Sequence, residues 1–272
     1  MNTALTATER QSSGLDRLAV LVQRNLRTSG RVPQLLMFSL TMPMAMLVLF
    51  SQVFRSVSGN PEFPAGVSYI DFLTPAMLAV TTVMAGTNAG VAAAIDHTNG
   101  LHERFGTLPM PSWTPGLSRT ISEGLFTVAR AVILIAAAIP LGFRFHGDAA
   151  DAATGLVVLI LLAAAMSALF GRIGDRLRRP DVVQFAGMMI MMPFMFVSGA
   201  FAPLESMPGW MRALATVNPV AHATDALRAS VLGTSTVADV GMAIATALGL
   251  WAVVVVLPHG RPRRTARRGT GA

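Results

Sequence analysis

The 272-residue sequence contains neither lysine nor cysteine, and charged residues make up only 13% of it. A phosphate-binding loop of the Walker type requires a lysine, so this chain cannot hold one. The absence of cysteine excludes disulfides, thiolate metal sites and cysteine nucleophiles. The charged fraction is about half that of an average soluble domain. We therefore expect no ATPase site in this chain, and we do not expect a water-soluble fold.

Apolar residues make up 53% of the chain, a composition that suits a bilayer better than water. Apolar segments long enough to cross a hydrocarbon core of about 30 Å recur along the sequence. The predicted fold is an all-α membrane protein with six transmembrane helices, over residues 33–54, 72–95, 125–143, 154–170, 182–201 and 237–257.

The distribution of arginine predicts how the spans are oriented. With a cytoplasmic N-terminus, the inner segments 1–32, 96–124, 171–181 and 258–272 carry 5, 2, 4 and 5 arginines, whereas the outer segments carry four in all. Cytoplasmic loops are typically rich in basic residues. We predict that both termini are cytoplasmic, with an amphipathic segment over 1–32, one six-span domain over 33–257 and a basic tail over 258–272. Because the arginines lie beside the spans, the net charge of +7 does not indicate nucleic acid as a partner.

The segment 202–236 is too long for a turn, yet it is apolar and interrupted by prolines. Two short helices are predicted on the outer side, over 209–217 and 220–232. Such helices dip into the outer leaflet only if other helices cover their ends. Asp225 and Arg228 are three residues apart on the second helix and are expected to pair.

The densest polar cluster consists of Asp96, His97, His102 and Glu103. Its spacing matches no common metal-ligand motif, so a metal site is the weaker interpretation. The alternatives are a solvated cytoplasmic helix that ends near Pro109, or a short helix that docks onto a partner protein.

A charged stripe interrupts the third span. Arg119, Glu123 and Arg130 fall within about 40° of each other on a helical wheel, and Arg119 and Glu123 are spaced as an i,i+4 pair. In one interpretation Arg130 extends to the inner membrane surface. In the other, the stripe faces the inside of the bundle and lines or gates a path.

Three further features have both a structural and a functional interpretation. The methionines of the fifth span form packing surface or a pliable lining for apolar substrates: Met188, Met189, Met191, Met192 and Met195. Asp71, at the outer end of the second span, is an interfacial anchor or a proton site. Gly86 and Gly90 have the spacing that favours close helix approach.

No serine–histidine pair or carboxylate pair is found at membrane depth, where a hydrolase would need one. His146, His222 and His259 lie near span ends or in loops. We therefore predict that the chain is not an enzyme and carries no cofactor and no metal.

Three groups of motifs, in order along the chain, resemble type-2 ABC transporter permeases, closest to their daunorubicin-resistance branch. The cytoplasmic loop 96–119 matches in its acidic start, its glycine, its Arg-Phe pair and its Leu-Pro-Met. Tyr69-Ile-Asp-Phe-Leu-Thr-Pro75 resembles the start of that family's second span, although Ala76 stands where many members have glycine. The stretch after the fifth span supplies the third group: Ser198-Gly199, Phe201-Ala-Pro203, Met207-Pro-Gly-Trp210, Asn218-Pro219 and Asp225-Ala-Leu-Arg228.

This resemblance implies a permease subunit in the cell membrane that moves a hydrophobic drug, polyketide or lipid outward while a separate subunit hydrolyses ATP. It implies two ABC ATPase subunits per complex, a second identical or homologous permease copy, and contact with membrane lipids. The segment 16–31 resembles the family's interfacial helix. Three sets of site residues follow: for ATPase coupling Asp96, Gly100, Glu103, Arg104, Phe105 and Pro109; for the pathway or its gate Glu123, Arg130, Met188, Met192 and Met195; for the outer re-entrant motif Pro203, Pro208, Trp210, Asn218, Pro219, Asp225 and Arg228.

Two other functions remain open on the sequence alone. An ion-coupled secondary transporter would need acidic residues near the membrane midplane, and the spans hold almost none. A non-transporting membrane anchor subunit would not need the long outer segment.

Overall fold

The computed structural model describes residues 14–30, 33–54, 67–99, 114–201, 204 and 207–256. Within these ranges the chain is almost entirely helical and contains no strand. This confirms the predicted all-α class. The described helices are α1 Gly14–Gly30, α2 Pro33–Val53, α3 Tyr69–Thr98, α4 Thr114–Ala138, α5 Ala149–Leu177, α6 Pro180–Phe196, α7 Gly209–Ala215, α8 Pro219–Leu232 and α9 Val237–Val256, with a 3₁₀ turn at Ile139–Leu141.

Local sequence signals explain where several helices begin and end. Asp148 and Asp151 form a capping box that starts α5, and each carboxylate accepts the backbone N–H of the other residue. Asn218 caps α8 by accepting the N–H of Val220, and Pro219 occupies the first helical position. Gly233 ends α8 in the left-handed conformation that favours glycine.

The largest differences from the predicted spans concern α4 and α5, and α6 also differs. Helix α5 spans Ala149–Leu177, where residues 154–170 were predicted. α4 begins at Thr114, well before the predicted start at 125, because its charged residues find partners inside the protein and do not end the helix. α6 ends at Phe196, five residues before the predicted end at 201, and Gly199 in the following turn has a φ of +67°. The two short helices predicted over 209–217 and 220–232 are present as α7 and α8.

Helix α3 lies at the centre of the fold. It packs against α2, α4, α5, α6 and α8, and most of its residues are buried on every side. A helix that is apolar around its whole circumference is expected to be enclosed by others.

The closest contact in the bundle is between α3 and α5. A Cβ atom on Gly86 would lie 2.7 Å from Cβ of Met166, and one on Gly90 would lie 2.5 Å from the carbonyl oxygen of Phe170. From the other side, a Cβ on Gly174 would lie 2.1 Å from the carbonyl oxygen of Gly90. The glycines therefore allow the two backbones to touch, which confirms the predicted close approach at Gly86 and Gly90.

Helix α1 packs along α4. Its apolar residues Leu18, Leu21, Val22 and Leu26 are partly buried, whereas Arg24 and Arg27 are exposed. The predicted amphipathic N-terminal helix is therefore present.

Four described helical segments are long and apolar enough to cross a membrane: Tyr69–Thr98, Gly116–Leu141, Ala149–Leu177 and Val237–Val254. Two further apolar helical segments, Ser39–Val53 and Pro180–Phe196, are shorter. The chain is thus a multi-pass membrane protein.

Candidate functional site

An ion pair is buried in the middle of α4. Nη1 of Arg130 lies 3.3 Å from Oε2 of Glu123, two helical turns away, and Nη2 lies 3.5 Å from the same oxygen. The side chains are only 8% and 18% exposed. The guanidinium also lies 5.9 Å from the centre of the Phe126 ring. Arg130 is thus buried within the chain and reaches back along α4 to Glu123.

This pair is neutral as a unit but incompletely satisfied. Removing two charges from water is costly, and a close partner of opposite sign offsets much of that cost. Among the residues that the structure describes, neither Nε of Arg130 nor the hydroxyl of nearby Thr127 has a hydrogen-bond partner. The interior side of α4 therefore offers two polar hydrogens to any group that reaches it.

Arg119 and Glu123 have i,i+4 spacing, but Arg119 forms its ion pair with a residue of another helix. Nη2 of Arg119 lies 2.5 Å from Oδ2 of Asp96 on α3, while Glu123 pairs with Arg130. The i,i+4 spacing places Arg119 and Glu123 on the same face of α4. Because α3 packs against α4, the carboxylate of Asp96 on α3 is the partner of Arg119 instead.

The last turn of α3 makes a second connection. Nε2 of His97 lies 3.3 Å from Oδ1 of Asp175 in the last turn of α5. Asp175 was not among the predicted site residues, because nothing in its local sequence distinguishes it from a solvated loop residue. The other predicted coupling residues, Gly100, Glu103, Arg104, Phe105 and Pro109, lie outside the described residues, as does His102.

The methionines of α6 do not share one environment. Met195 is 6% exposed and packs into the core, whereas Met188 and Met192 are 53% and 49% exposed on the surface of the single chain. Met195 and Met191 line a small crevice with Val80, Val83, Phe194 and Val220. Of the three methionines predicted for the pathway, only Met195 is buried within this chain.

Arg228 on α8 contacts a residue of its own helix and two other segments. It pairs with Asp225 at 3.0 Å, as predicted, and also donates to the carbonyl oxygens of Gly199 at 3.0 Å and Phe72 at 3.4 Å. Its Cζ lies 3.7 Å from the centre of the Phe72 ring, close enough for a strong cation–π contact. Arg228 thus joins α8 to the start of α3 and to the turn after α6. The sequence showed only the local partner.

Other residues of the predicted outer motif divide into a buried and an exposed group. Asn218 is buried, and its side-chain amide donates to the carbonyl oxygen of Phe194 at 2.9 Å. Pro219 is also buried. Pro208 and Trp210, at the start of α7, are exposed. Pro203 lies outside the described residues.

Asp71 is buried and holds backbone in place. It accepts the hydroxyl of Ser68 at 2.6 Å and the backbone N–H of Arg144 at 2.8 Å. Asp71 therefore connects the start of α3 to the loop before α5. Neither interpretation from the sequence, an interfacial anchor or a proton site, predicted this contact with the backbone of Arg144.

Comparison with known proteins adds an independent observation. A family model described as ABC-2 type transporter matches residues 16–232. The chain is 30% identical to the daunorubicin resistance ABC transporter permease protein DrrB1 of Streptomyces coeruleorubidus, over 94% of this chain and 90% of that protein. It is 27% identical to the putative transport permease ycf38 of Porphyra purpurea, over 79% and 73% of the two chains. It is 23% identical to the probable doxorubicin resistance ABC transporter permease protein DrrC of Mycobacterium tuberculosis, over 74% and 73%.

Proposed function

Because this chain belongs to the ABC-2 type transporter family, we propose that it is the membrane-spanning permease of an exporter for hydrophobic drug-like molecules, with ATP hydrolysed by a separate subunit. The observation that carries this function is the family match over residues 16–232, which includes the whole helical core from α2 to α8. The family implies an ABC ATPase as partner and a dimeric permease. Two ATPase subunits and a second identical or homologous permease copy complete the proposed complex.

The proposed arrangement has six spans, formed by α2, α3, α4, α5, α6 and α9. Residues 1–32 lie on the cytoplasmic side, residues 33–257 form the single permease domain, and residues 258–272 form a cytoplasmic tail. The shorter apolar helices α2 and α6 complete the count of six, and the sixteen-to-four arginine distribution supports the orientation. Helices α7 and α8 then lie on the outer side.

The proposed cargo is apolar and drug-like. Two of the similar proteins are named for daunorubicin and doxorubicin resistance, and we extend that class of molecule to this chain. Polyketides and lipids have similar apolar character and belong to the same proposal.

The proposed path runs beside α4. The burial of Glu123 and Arg130, and the unpartnered polar hydrogens at Arg130 Nε and Thr127, support a role for this side of α4 in lining or gating. Buried Met195 suits an adaptable apolar wall. Exposed Met188 and Met192 would instead face lipid or the second permease copy.

The proposed ATPase docking segment follows α3, and its residues are Asp96, Gly100, Glu103, Arg104, Phe105 and Pro109. A small residue permits close approach of a partner surface, and charged residues fix the register. A short segment between two spans transmits the closing of an ATPase dimer as a rigid-body tilt. The outer motif, from Pro203 to Arg228, would stabilise the opposite end.

The first experiment measures ATP hydrolysis with and without a partner. The purified chain is expected to hydrolyse no ATP until an ABC ATPase subunit is added, because it has no lysine for a phosphate-binding loop. Co-purification of the ATPase with the chain separates a permease from an ion-coupled transporter and from a lone anchor. Sustained hydrolysis by the uncontaminated chain would refute the permease assignment.

The second experiment tests the docking segment by reversing charges, as Glu103→Arg and Arg104→Glu. Each change places like charges against an unchanged partner, which is unfavourable at a desolvated contact. The variants should insert in the membrane but lose ATPase association or daunorubicin export. Arg267→Glu in the tail is the matched control and should have little effect. If both reversals leave pull-down and export intact, the docking site lies elsewhere.

A further inference from the structure

One ion pair and one histidine–carboxylate contact connect the last turn of α3 to two neighbouring helices. Asp96 pairs with Arg119 of α4 at 2.5 Å, and the next residue, His97, contacts Asp175 of α5 at 3.3 Å. Asp96 and His97 are consecutive, so one turn of α3 is joined to both neighbours at once. In the proposed orientation this turn lies on the cytoplasmic side.

Next to the His97–Asp175 contact, the backbones of α3 and α5 are in close contact. Gly174 precedes Asp175 and lies against the backbone of Gly90, with no space for a Cβ atom. Ala93 also lies against Gly174, since a Cβ there would be 2.9 Å from its side chain. Helices that touch backbone to backbone cannot slide without losing this contact, so α3 and α5 should move together near Asp175.

The Asp96–Arg119 ion pair joins the two helices that flank the proposed docking segment. α3 ends at Thr98, and α4 begins at Thr114. The Asp96–Arg119 pair therefore lies where the chain enters and leaves this segment. Without such a connection, a force on the segment could be absorbed by separation of the two helix ends.

We propose that Arg119 and Asp175 are positioning residues for ATPase coupling, acting through Asp96 and His97 to make α3, α4 and α5 move as one unit. A displacement of residues 100–113 by the ATPase is then transmitted to three spans instead of being lost in the last turn of α3. This inference rests on the proposed function, which makes that segment the docking point. It assigns a coupling role to two residues outside the segment itself.

Because these side chains are partly exposed, their role in coupling can be tested without unfolding the protein. Arg119 and Asp96 are 21% and 30% exposed, and ion pairs with such access to water contribute little to stability. The Asp175 side chain is 38% exposed. Variants at Arg119 and Asp175 should therefore fold and assemble, which allows coupling to be measured by itself.

The experiment uses the complete complex of permease and ATPase with one fluorescent reporter on α5. The chain has no cysteine, so Ala150→Cys, exposed at the far end of α5, can be labelled alone before the ATPase is added. The variants are Arg119→Asp, Arg119→Lys, which keeps the positive charge, and Asp175→Ala. Arg179→Asp is the matched control, because it reverses one charge of the exposed Arg179–Asp181 pair. Each complex is compared without nucleotide and with ATP plus vanadate.

In the unaltered complex, ATP plus vanadate should change the fluorescence of the label. Arg119→Asp and Asp175→Ala should keep ATPase association and ATP hydrolysis but reduce this change about five-fold or more, the lower range of allosteric coupling. Arg119→Lys should keep the signal, because its ammonium group retains the charge that pairs with Asp96. Arg179→Asp should leave the signal unchanged.

Other outcomes overturn the inference in distinguishable ways. A full signal in Arg119→Asp and Asp175→Ala, or no nucleotide-dependent signal in the unaltered complex, would show that these contacts do not transmit movement to α5. Loss of the ATPase from Arg119→Asp would make Arg119 a docking residue, and loss of the signal in Arg119→Lys would exclude the positive charge of Arg119 as the cause. If the unaltered chain binds no ATPase, the proposed function itself fails, and the inference fails with it.

Discussion

Arg228 shows how one side chain can hold three segments together. Its guanidinium has five N–H groups in a fixed plane, and they reach Asp225, the carbonyl of Gly199 and the carbonyl of Phe72. Its face rests on the Phe72 ring. The carbonyl of Gly199 lies in a turn, outside the hydrogen-bond pattern of a helix, and Arg228 supplies its donor.

We therefore predict that Arg228→Leu destabilises the protein. The change leaves two carbonyl groups without their charged donor, at a cost of about 2 kcal/mol. For a chain of this size the midpoint of thermal unfolding in detergent should fall by roughly 4–8 °C. Arg212→Leu, at an exposed position on α7, is the control and should have little effect. Equal shifts for the two variants would contradict the role of Arg228.

At the scale of the helices, α3 and α5 are held at backbone distance by glycines placed opposite each other. Gly90 and Gly174 leave no space for side chains between the two backbones. Helices in a membrane gain little from the hydrophobic effect on association, so close van der Waals contact is a main source of their affinity.

We predict opposite effects for two alanine substitutions three residues apart on α5. A Cβ at Gly174 would lie 2.1 Å from the carbonyl oxygen of Gly90, whereas one at Gly171 would have no atom within 4 Å. Gly174→Ala should destabilise by about 1–3 kcal/mol through overpacking. Gly171→Ala should be neutral or stabilise by up to about 1 kcal/mol, because alanine favours helix. Thermal unfolding in detergent compares the two, and a similar loss for both would show that helix α5 is not held at this contact.

At the scale of the whole molecule, charge is concentrated toward one end of the proposed bundle. Sixteen of the 21 arginines fall in segments predicted to be cytoplasmic. The buried exception, Arg130, is neutralised by Glu123. This arrangement is what the electrostatics of membrane insertion favours, since basic segments are retained on the cytoplasmic side.

Reporter fusions test this orientation directly. Fusions after Gly147 and Gly233 should be active outside the cell, and a fusion after Arg179 should be active inside. The physical reason is the positive charge of the segment 171–181, which holds four arginines. An external signal after Arg179 would contradict the six-span arrangement.

The sequence by itself predicted the helical class, the family, and most helix positions. These properties depend on local patterns: apolar runs of membrane length, prolines at helix starts, and motifs in a fixed order. It also predicted the Asp225–Arg228 pair and the small-residue contact at Gly86 and Gly90, because both arise from spacing within one helix.

Only the tertiary structure decided which segments supplied the partners of Arg119, Asp175 and Arg228. Arg119 pairs across to Asp96, Asp175 meets His97, and Arg228 reaches Phe72 and Gly199. The two residues of each contact are far apart in sequence. A helical wheel predicts on which face of its helix a side chain lies, but it does not predict which other helix packs against that face. The burial of Arg130 was likewise decided only by the tertiary structure, since burial is a property of the packed bundle and not of one helix.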